Sequence, residues 1–391
     1  MAEKYLAQPD LGFIDEIVNL GGDTLKKCFQ CATCSVACPI APDNSPFPRK
    51  EMIAASWGLK DKLISSGDIW LCHECGDCSE LCPRGARPGD VLSAIRSTAI
   101  VEYAQPKSLA RAVNDPSKLP FLLGIPAIWF AIFAYITMAA GETMTRLFNK
   151  IGIAWSHDTH GAIAHSDFFS TWFVDLTFIP LSIFVTIAFA IGLKRFVVDI
   201  HENAVAENKT NRKDLNWGGL ASAFVRIIPV ILKHDKFNEC EANKDRSTAH
   251  MMILYSFIGL AIVTGIFFVV LYIFHIPGPY SQFNPVKWIA NISGVALVIG
   301  SCLMIKNRMA KEDQVTLYKD WYILCIVLSL GVTGLLAEMT RLAGAATFSY
   351  FLYYLHLIAV FNLFAFLPFS KMAHIVYRIA AMAYAEYGNR K

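Results

Sequence analysis

The sequence predicts a mostly α-helical protein in which a cysteine-rich soluble module precedes a bundle of six transmembrane helices. Of its 391 residues, 54% are hydrophobic and 17% are charged, against about 25% charged residues in soluble domains. The long apolar runs all follow residue 118, and eight of the eleven cysteines fall in two short runs before it. We therefore divide the chain into a soluble domain, 1–118, and a membrane domain, 119–391.

The soluble domain shows helix signals on either side of the cysteines. We expect helices in residues 1–27, 48–57 and 89–103, and a polar linker over 104–118. The first residues are acidic and amphipathic and show no signal-peptide core, so we expect this end to begin in the cytoplasm. A net charge of +3 is too small to indicate a nucleic-acid partner.

Both cysteine runs have the spacing C-x2-C-x2-C-x3-C-P. This spacing is typical of 4Fe–4S clusters, in which three close cysteines bind one cluster and the fourth reaches the other. Zinc is the alternative, but zinc sites favour pairs of the C-x2-C type. The predicted ligands of the first cluster are Cys28, Cys31, Cys34 and Cys82. Those of the second cluster are Cys72, Cys75, Cys78 and Cys38.

The membrane domain contains six apolar runs, each long enough to cross a bilayer. They are residues 119–140, 172–193, 251–274, 288–305, 321–339 and 350–369. Several begin with Trp or Tyr, which are typical of the membrane interface. A further apolar stretch, 217–233, is interrupted by Arg226 and Pro229, so we expect an amphipathic helix on the membrane surface.

Six spans put both ends of the chain on one side of the membrane, and the loop charges indicate which side. The segments 194–249, 306–320 and 371–391 contain 18 Lys and Arg residues, whereas the opposite loops contain four. Positive residues favour the cytoplasmic side. The sequence thus predicts a multi-pass protein of the cytoplasmic (inner) membrane with both termini and the cysteine module in the cytoplasm.

Histidines near the span ends are candidate haem ligands. His356 and His374 are 18 residues apart, so on one continuous helix over 351–379 they would share a face about 27 Å apart. That is close to the ~30 Å thickness of a bilayer core. His250, at the start of the third span, would meet His374 at the cytoplasmic edge. We predict one b haem between His250 and His374.

A second haem would need a partner for His356 near the outer surface. His275 is one candidate, because it follows His250 by nearly seven turns and would share its helix face. Its height, however, exceeds that of His356 by about 10 Å. His165, just before the second span, is the other candidate. The sequence therefore predicts one or two b haems.

Two acidic residues in the predicted spans, Asp175 and Glu338, are functional candidates, because ionisable groups are costly inside a bilayer. They could exchange protons with a quinone. The alternatives are an ion pair between helices or a contact with a haem propionate.

The sequence HLIAVFNLFAFLPFSKMAH, which ends at His374, resembles the last helix of the cytochrome b subunit of respiratory nitrate reductase. In that resemblance His250 corresponds to a haem ligand, while Leu260 stands where that family has its next haem histidine. The cysteine module resembles the iron–sulfur C subunit of heterodisulfide reductase. A fusion of the two is similar to the membrane subunit of quinone-interacting membrane-bound oxidoreductase complexes.

This resemblance implies flavin-containing soluble partners like the A subunit of heterodisulfide reductase. It also implies menaquinone as the membrane substrate and electron delivery toward adenylylsulfate reductase in dissimilatory sulfate reduction. The alternatives are a membrane subunit of a heterodisulfide reductase-type or sulfite-reductase-associated complex, and a membrane anchor with non-catalytic cofactors. The remaining cysteines, Cys240, Cys302 and Cys325, are scattered, so no catalytic thiol–disulfide motif is expected on this chain.

Overall fold

The computed structural model describes residues 8–42, 45–151, 163–233, 245–310 and 315–389, and these contain helices and turns but no β-strand. The helices of the cysteine module and its connection are α1 (Leu11–Ile17), α2 (Thr33–Val36), α3 (Arg49–Ser56), α4 (Lys60–Ile64), α5 (Asp68–Leu71), α6 (Asp77–Glu80), α7 (Pro88–Tyr103) and α8 (Lys107–Asn114). Those of the remaining chain are α9 (Leu119–Lys150), α10 (His165–Phe168), α11 (Thr171–Ala206), α12 (Trp217–Lys233), α13 (Asp245–Tyr272), α14 (Pro285–Ala310), α15 (Tyr318–Leu342), α16 (Ala346–Ala365) and α17 (Ala373–Tyr387).

Six of these helices, α9, α11, α13, α14, α15 and α16, are long and apolar enough to cross a membrane. The predicted fold class, mostly helical with six spans, is thereby confirmed. Most of the helices extend beyond the predicted spans, because polar residues continue the helix past the apolar run. The arrangement indicates a multi-pass membrane protein.

The last predicted span differs from expectation. Helix α16 ends at Ala365, Leu367–Phe369 form a 3-10 turn, and α17 starts only at Ala373. Proline has no amide hydrogen and disfavours helical geometry in the residue before it, and Pro368 occupies this turn. The expectation that His356 and His374 share a face of one helix is therefore wrong.

The stretch predicted as a polar linker, 104–118, contains helix α8. Its apolar residues Ala110 and Val113 are buried in a cluster with Phe369 from the turn after α16. The Asn114 side-chain amide donates to the Phe369 carbonyl at 3.5 Å. The connection is thus a packed element between the two parts of the chain.

The core of the cysteine module continues into two later helices. Trp70 lies against Phe196 of α11 and Tyr377 of α17, with ring centroids 5.5 and 5.3 Å apart. The Tyr103 hydroxyl donates to Asp199 Oδ2 at 3.0 Å. Because these aromatic side chains are shared, the module packs directly on α11 and α17.

Helix α16 packs against α9, α11 and α15 and so occupies the middle of the helix bundle. Helices α13 and α14 approach closely through small residues: a Cβ at Gly300 would lie 3.2 Å from the Ala249 carbonyl oxygen. Small residues at such contacts are typical of membrane helices. Helix α12, over the stretch predicted as a surface helix, packs along α17.

Candidate metal and electron-transfer site

The two cysteine loops repeat one backbone conformation. Gln30 and Ala32 have φ of 59° and 70°, and Glu74 and Gly76 have φ of 56° and 99°. In each loop these residues lie two and four positions after the first cysteine, and a short helix follows. Positive φ is uncommon for residues other than glycine. In the second loop it lets the Glu74 amide donate to Cys72 Sγ at 3.3 Å.

The side chains fall into two cysteine groups. Burial and the nearby thiols of Cys28, Cys31 and Cys82 raise the pKa of Cys34 to about 11. The first cysteine group is therefore Cys28, Cys31, Cys34 and Cys82.

The second cysteine group mirrors the first. Burial and the nearby thiols of Cys72, Cys75 and Cys38 raise the pKa of Cys78. In both groups the fourth cysteine of one run lies beside the first three of the other, as the motif predicts. The second cysteine group is Cys72, Cys75, Cys78 and Cys38.

The surroundings of the second group fit a bound cluster. All four cysteines line one cavity, whose apolar wall includes Ile40, Phe47 and Leu92. Within the described ranges, no three His, Cys, Asp or Glu side chains converge as they would around a single metal ion. Four cysteines around a common space are the donor set that a 4Fe–4S cluster needs.

The first cysteine group borders solvent. Cys31 is exposed. Three large apolar side chains near it, in sequence or at the ends of the neighbouring short helices, are also exposed: Phe29 (67%), Val36 (87%) and Leu81 (59%). The Arg84 guanidinium lies 3.9 Å from the centroid of the Phe29 ring. Large exposed apolar side chains around a site are a feature of protein–protein contact surfaces.

The loop of the second group is held by arginines from two helices of the membrane domain. Arg378 of α17 donates to the carbonyl of Cys72 at 3.0 Å and to that of Leu71 at 3.4 Å. Arg246 of α13 donates to the Glu74 carbonyl at 3.3 Å. The backbone carbonyls of Leu71, Cys72 and Glu74 thus accept hydrogen bonds from arginines of the membrane domain.

The side chain of Glu74 completes this charged contact. Burial acts to raise its pKa, but the positive charges of Lys371, Arg96 and Arg246 outweigh burial and lower the pKa to about 2. Arg96 of α7 contributes directly, with its Nη2 3.0 Å from Glu74 Oε2. Glu74 is therefore ionised between cations from both parts of the chain.

His250 and His374, the predicted inner pair, lie close together. Burial, and to a smaller extent the charges of Lys371 and His250, lower the pKa of His374 to about 3. The Nδ1 atom of His374 lies 2.5 Å from the Lys371 carbonyl oxygen. A carbonyl only accepts, so the proton is on Nδ1 and Nε2 has a free lone pair. A neutral imidazole with an oriented ring is the form that binds metals.

His356 is oriented in a similar way at the other end of the bundle. Its Nδ1 lies 3.1 Å from Thr333 Oγ1, whose hydroxyl donates to the Ser329 carbonyl at 2.6 Å. The Thr333 oxygen therefore accepts from Nδ1, which fixes the orientation of the ring. Gly334 makes room for the ring, because a Cβ there would lie 3.0 Å from the His356 Cε1.

Of the two candidate partners of His356, the structure brings His165 near it. Burial, then the charge of Arg341 and a smaller contribution from His356, lower the pKa of His165 to about 4. The His165 ring stacks on Tyr353 with centroids 4.5 Å apart. His275 instead lies exposed at φ 53°, beyond the end of α13. The expectation that it continues the helix face of His250 is wrong, because α13 ends at Tyr272.

The two acidic candidates have different surroundings. The Tyr272 hydroxyl donates to Asp175. Glu338 lies 2.7 Å from Lys287 Nζ and 3.0 Å from Arg341 Nη2. This arrangement favours an ion-pair role for Glu338, whereas Asp175 has a hydroxyl partner.

Sequence reasoning missed Arg246, Arg378 and Tyr272. A signal for the arginines was present, because each lies four residues, or about one helical turn, from a predicted ligand histidine. Of the scattered cysteines, Cys302 and Cys325 are free and exposed, and Cys240 lies outside the described residues.

Comparison with known proteins identifies the cysteine module. A model of the 4Fe–4S dicluster domain matches residues 24–86. The C subunit of the H(2):CoB-CoM heterodisulfide,ferredoxin reductase of Methanothermobacter marburgensis is 40% identical over 91 residues, covering 23% of this chain and 49% of that protein. The C2 subunit of the H(2)/formate:CoB-CoM heterodisulfide,ferredoxin reductase of Methanococcus maripaludis is 30% identical over 151 residues, covering 37% of this chain and 73% of that protein. The chain belongs to the family of heterodisulfide reductase C subunits.

A third member of the family, from Archaeoglobus profundus, is a protein like the heterodisulfide reductase C subunit. It is 33% identical over 105 residues, covering 27% of this chain and 56% of that protein. The chain spans about half the length of the first of these relatives. No solved structure matches it. Membership in this family makes the chain an iron–sulfur electron-transfer protein related to the heterodisulfide reductase C subunit and confirms the predicted likeness of the cysteine module.

Proposed function

We propose that this chain relays electrons between menaquinol or menaquinone in the membrane and soluble flavin and iron–sulfur partner subunits. The observation that supports this most strongly is the position of His250 and His374. They lie close together on helices that also contact the loop of the second cysteine group. Haem iron and iron–sulfur clusters supply one-electron transfer when bound.

The chain's own side chains would hold four redox groups. The two cysteine groups would each bind a 4Fe–4S cluster, and His250 with His374 would bind a b haem on the cytoplasmic side. His356 with His165 would bind a second b haem on the outer side. The Nδ1 contacts of His374 and His356 support these assignments, since each orients an imidazole ring.

The exposed side of the first cysteine group would contact the soluble partner. Phe29, Val36 and Leu81 offer apolar contact area there, and Arg84 adds a positive charge. The names of the relatives describe subunits of heterodisulfide reductases. A flavin-containing partner like the A subunit of those enzymes, and electron delivery toward adenylylsulfate reductase, are carried over from the resemblance of the whole chain.

At the quinone side we favour Asp175 over Glu338 as the group that exchanges protons. A quinol releases two protons together with its two electrons. The Asp175 carboxylate, which accepts a hydrogen bond from the Tyr272 hydroxyl, offers a path for these protons. Glu338 is neutralised by Lys287 and Arg341. In this proposal the cysteine module and both termini lie on the cytoplasmic side, which the excess of positive residues in the corresponding loops supports.

The test is the haem and iron content of the full chain purified in detergent, with reduced-minus-oxidised spectra. We expect a b-type band that a menaquinol analogue reduces. His250→Ala and His374→Ala should each remove the same haem, while His356→Ala and His165→Ala should keep it and remove the outer one. His275→Ala, on an exposed turn, is the control. A wild-type chain without a b-type band would end the proposal.

A membrane subunit of a heterodisulfide reductase-type complex is the second candidate, favoured by the names of the relatives. Identification of the soluble subunits that co-purify with the native chain distinguishes the two.

A further inference from the structure

Two arginines connect the inner histidine pair to the second cysteine group. On α13, Arg246 precedes His250 by four residues, and on α17, Arg378 follows His374 by four residues. A rise of about 6 Å, slightly more than one helical turn, therefore separates each arginine from its histidine along a rigid helix. Both guanidiniums donate to carbonyls of the loop that contains Cys72.

We propose that Arg246 and Arg378 are positioning residues for electron transfer between the inner histidine pair and the second cysteine group. They fix the distance between the two sites, and their charges raise the reduction potential of the second cluster relative to the first. This inference rests on the proposed function, because it requires a haem at His250 and His374. Each transfer moves one electron, and no bond is made or broken.

The fixed distance follows from geometry. Arg378 reaches two successive carbonyls, of Leu71 and Cys72, with two nitrogens of one planar guanidinium. Such paired, charge-assisted contacts hold orientation as well as position. Because the carbonyl of Cys72 belongs to a predicted cluster ligand, a shift of Arg378 would move that ligand directly.

The effect on potential follows from charge. Arginine stays protonated in proteins, and a reduced cluster carries one more negative charge than an oxidised one. Positive charges within a few ångströms of the second loop therefore favour its reduced state. The Glu74 and Asp320 carboxylates offset part of this charge, but they are outnumbered by the cations Arg96, Arg246, Lys371 and Arg378.

Attachment of the two domains does not account for these contacts. The shared aromatic core of Trp70, Phe196 and Tyr377 already packs the module on α11 and α17. The exposed ion pair between Arg226 of α12 and Glu386 of α17, at 3.0 Å, lies on the same part of the chain away from the cysteine loop. Arg226→Gln is therefore a matched control.

The experiment compares the full chain, with its cofactors, as wild type, Arg378→Gln, Arg246→Gln, Arg378→Lys and Arg226→Gln. Redox titration followed by electron paramagnetic resonance gives the potential of each cluster. Stopped-flow mixing with a menaquinol analogue gives the rate at which haem electrons reach the second cluster.

Both Gln variants should lower the potential of the second cluster, leave that of the first unchanged, and slow the transfer on the order of tenfold, as loss of a supporting contact around a metal site does. Arg378→Lys keeps the positive charge but loses the paired hydrogen bonds of the guanidinium. The potential of the second cluster should therefore recover, while the rate of electron transfer to it stays low. Arg226→Gln should match wild type.

Unchanged potentials and rates in both Gln variants, with haem and clusters present, would overturn the inference and leave the proposed function intact. Equal shifts of the two clusters would overturn it as well, because a general loss of structure would then explain the effect. A wild-type chain without the b-type band would overturn the proposed function and this inference with it.

Discussion

The two cysteine loops, one on the solvent-facing side of the module and one on its membrane-facing side, share one backbone conformation. The residues that surround them differ. On the solvent-facing side, Cys31 and its apolar neighbours are exposed. On the membrane-facing side, Arg246 and Arg378 cover the loop around Cys72, which is buried. Two sites that are equivalent in sequence are thus made unequal by their neighbours.

The largest effect should come from removing one cysteine on each side. Cys78→Ser should remove the second cluster and reduce electron arrival at the first cluster to background, because the membrane-facing step is lost. Cys31→Ser should leave transfer from the quinol analogue to the second cluster in place. Freeze-quenched electron paramagnetic resonance after mixing measures both. Equal losses in the two variants would remove the distinction between the sides.

A second test of the comparison concerns the residues that hold His374 in position on the membrane-facing side. The buried carboxylate of Asp320 lies 2.6 Å from Lys371 Nζ, and the Lys371 carbonyl orients His374. Asp320→Asn should weaken haem binding at the inner site on the order of tenfold. Haem titration of the haem-depleted chain checks this, with the exposed Glu142→Gln as control. An unchanged affinity would show that Lys371 holds His374 unaided.

On the solvent-facing side, Phe29→Ser and Leu81→Ser should each weaken binding of the soluble partner about tenfold, or about 1.4 kcal/mol, if they are anchors of that contact. Their exposure means that folding stability should change by less than about 0.5 kcal/mol. Leu11→Ser, also exposed but on α1, is the control. Binding of the purified partner to the immobilised chain gives the ratio, and equal affinities for all three variants would place the contact elsewhere.

The smallest effect concerns Glu51, a buried carboxyl group of the module that lies near Asp68 and near Lys209, which follows the end of α11. Burial, and next the charge of Asp68, raise the pKa of Glu51 from 4.5 to about 8. The folded state therefore retains a proton that the unfolded state releases, so stability should fall as pH rises from about 4.5 to about 8.

Glu51→Gln should flatten this slope, because the amide does not titrate. Melting temperatures between pH 5 and 8.5 in detergent measure it, with the exposed Glu80→Gln as comparison. The same slope in Glu51→Gln as in wild type would assign the pH dependence to other groups.

Much of this arrangement follows from local sequence. The cysteine spacing predicts the exchange of the fourth ligand, and six apolar runs predict six spans. The break after Ala365 was missed because the apolar pattern continues through Leu367–Phe369, although Pro368 marked the position. The contacts of Arg246 and Arg378 join residues 172 and 306 positions apart, and no local periodicity contains such pairings.

The break between α16 and α17 also sets an order for biogenesis. His374 lies on α17, whose Tyr377 is buried in the core of the cysteine module, whereas His250 lies on α13. Because α17 follows the cysteine module in the chain and packs into its core, we expect the inner histidine pair to form only after the module has folded. Replacement of a cluster cysteine, as in Cys78→Ser, should then delay haem incorporation, which pulse labelling would reveal. Haem bound at the inner site would then indicate that the clusters of the module had already been assembled.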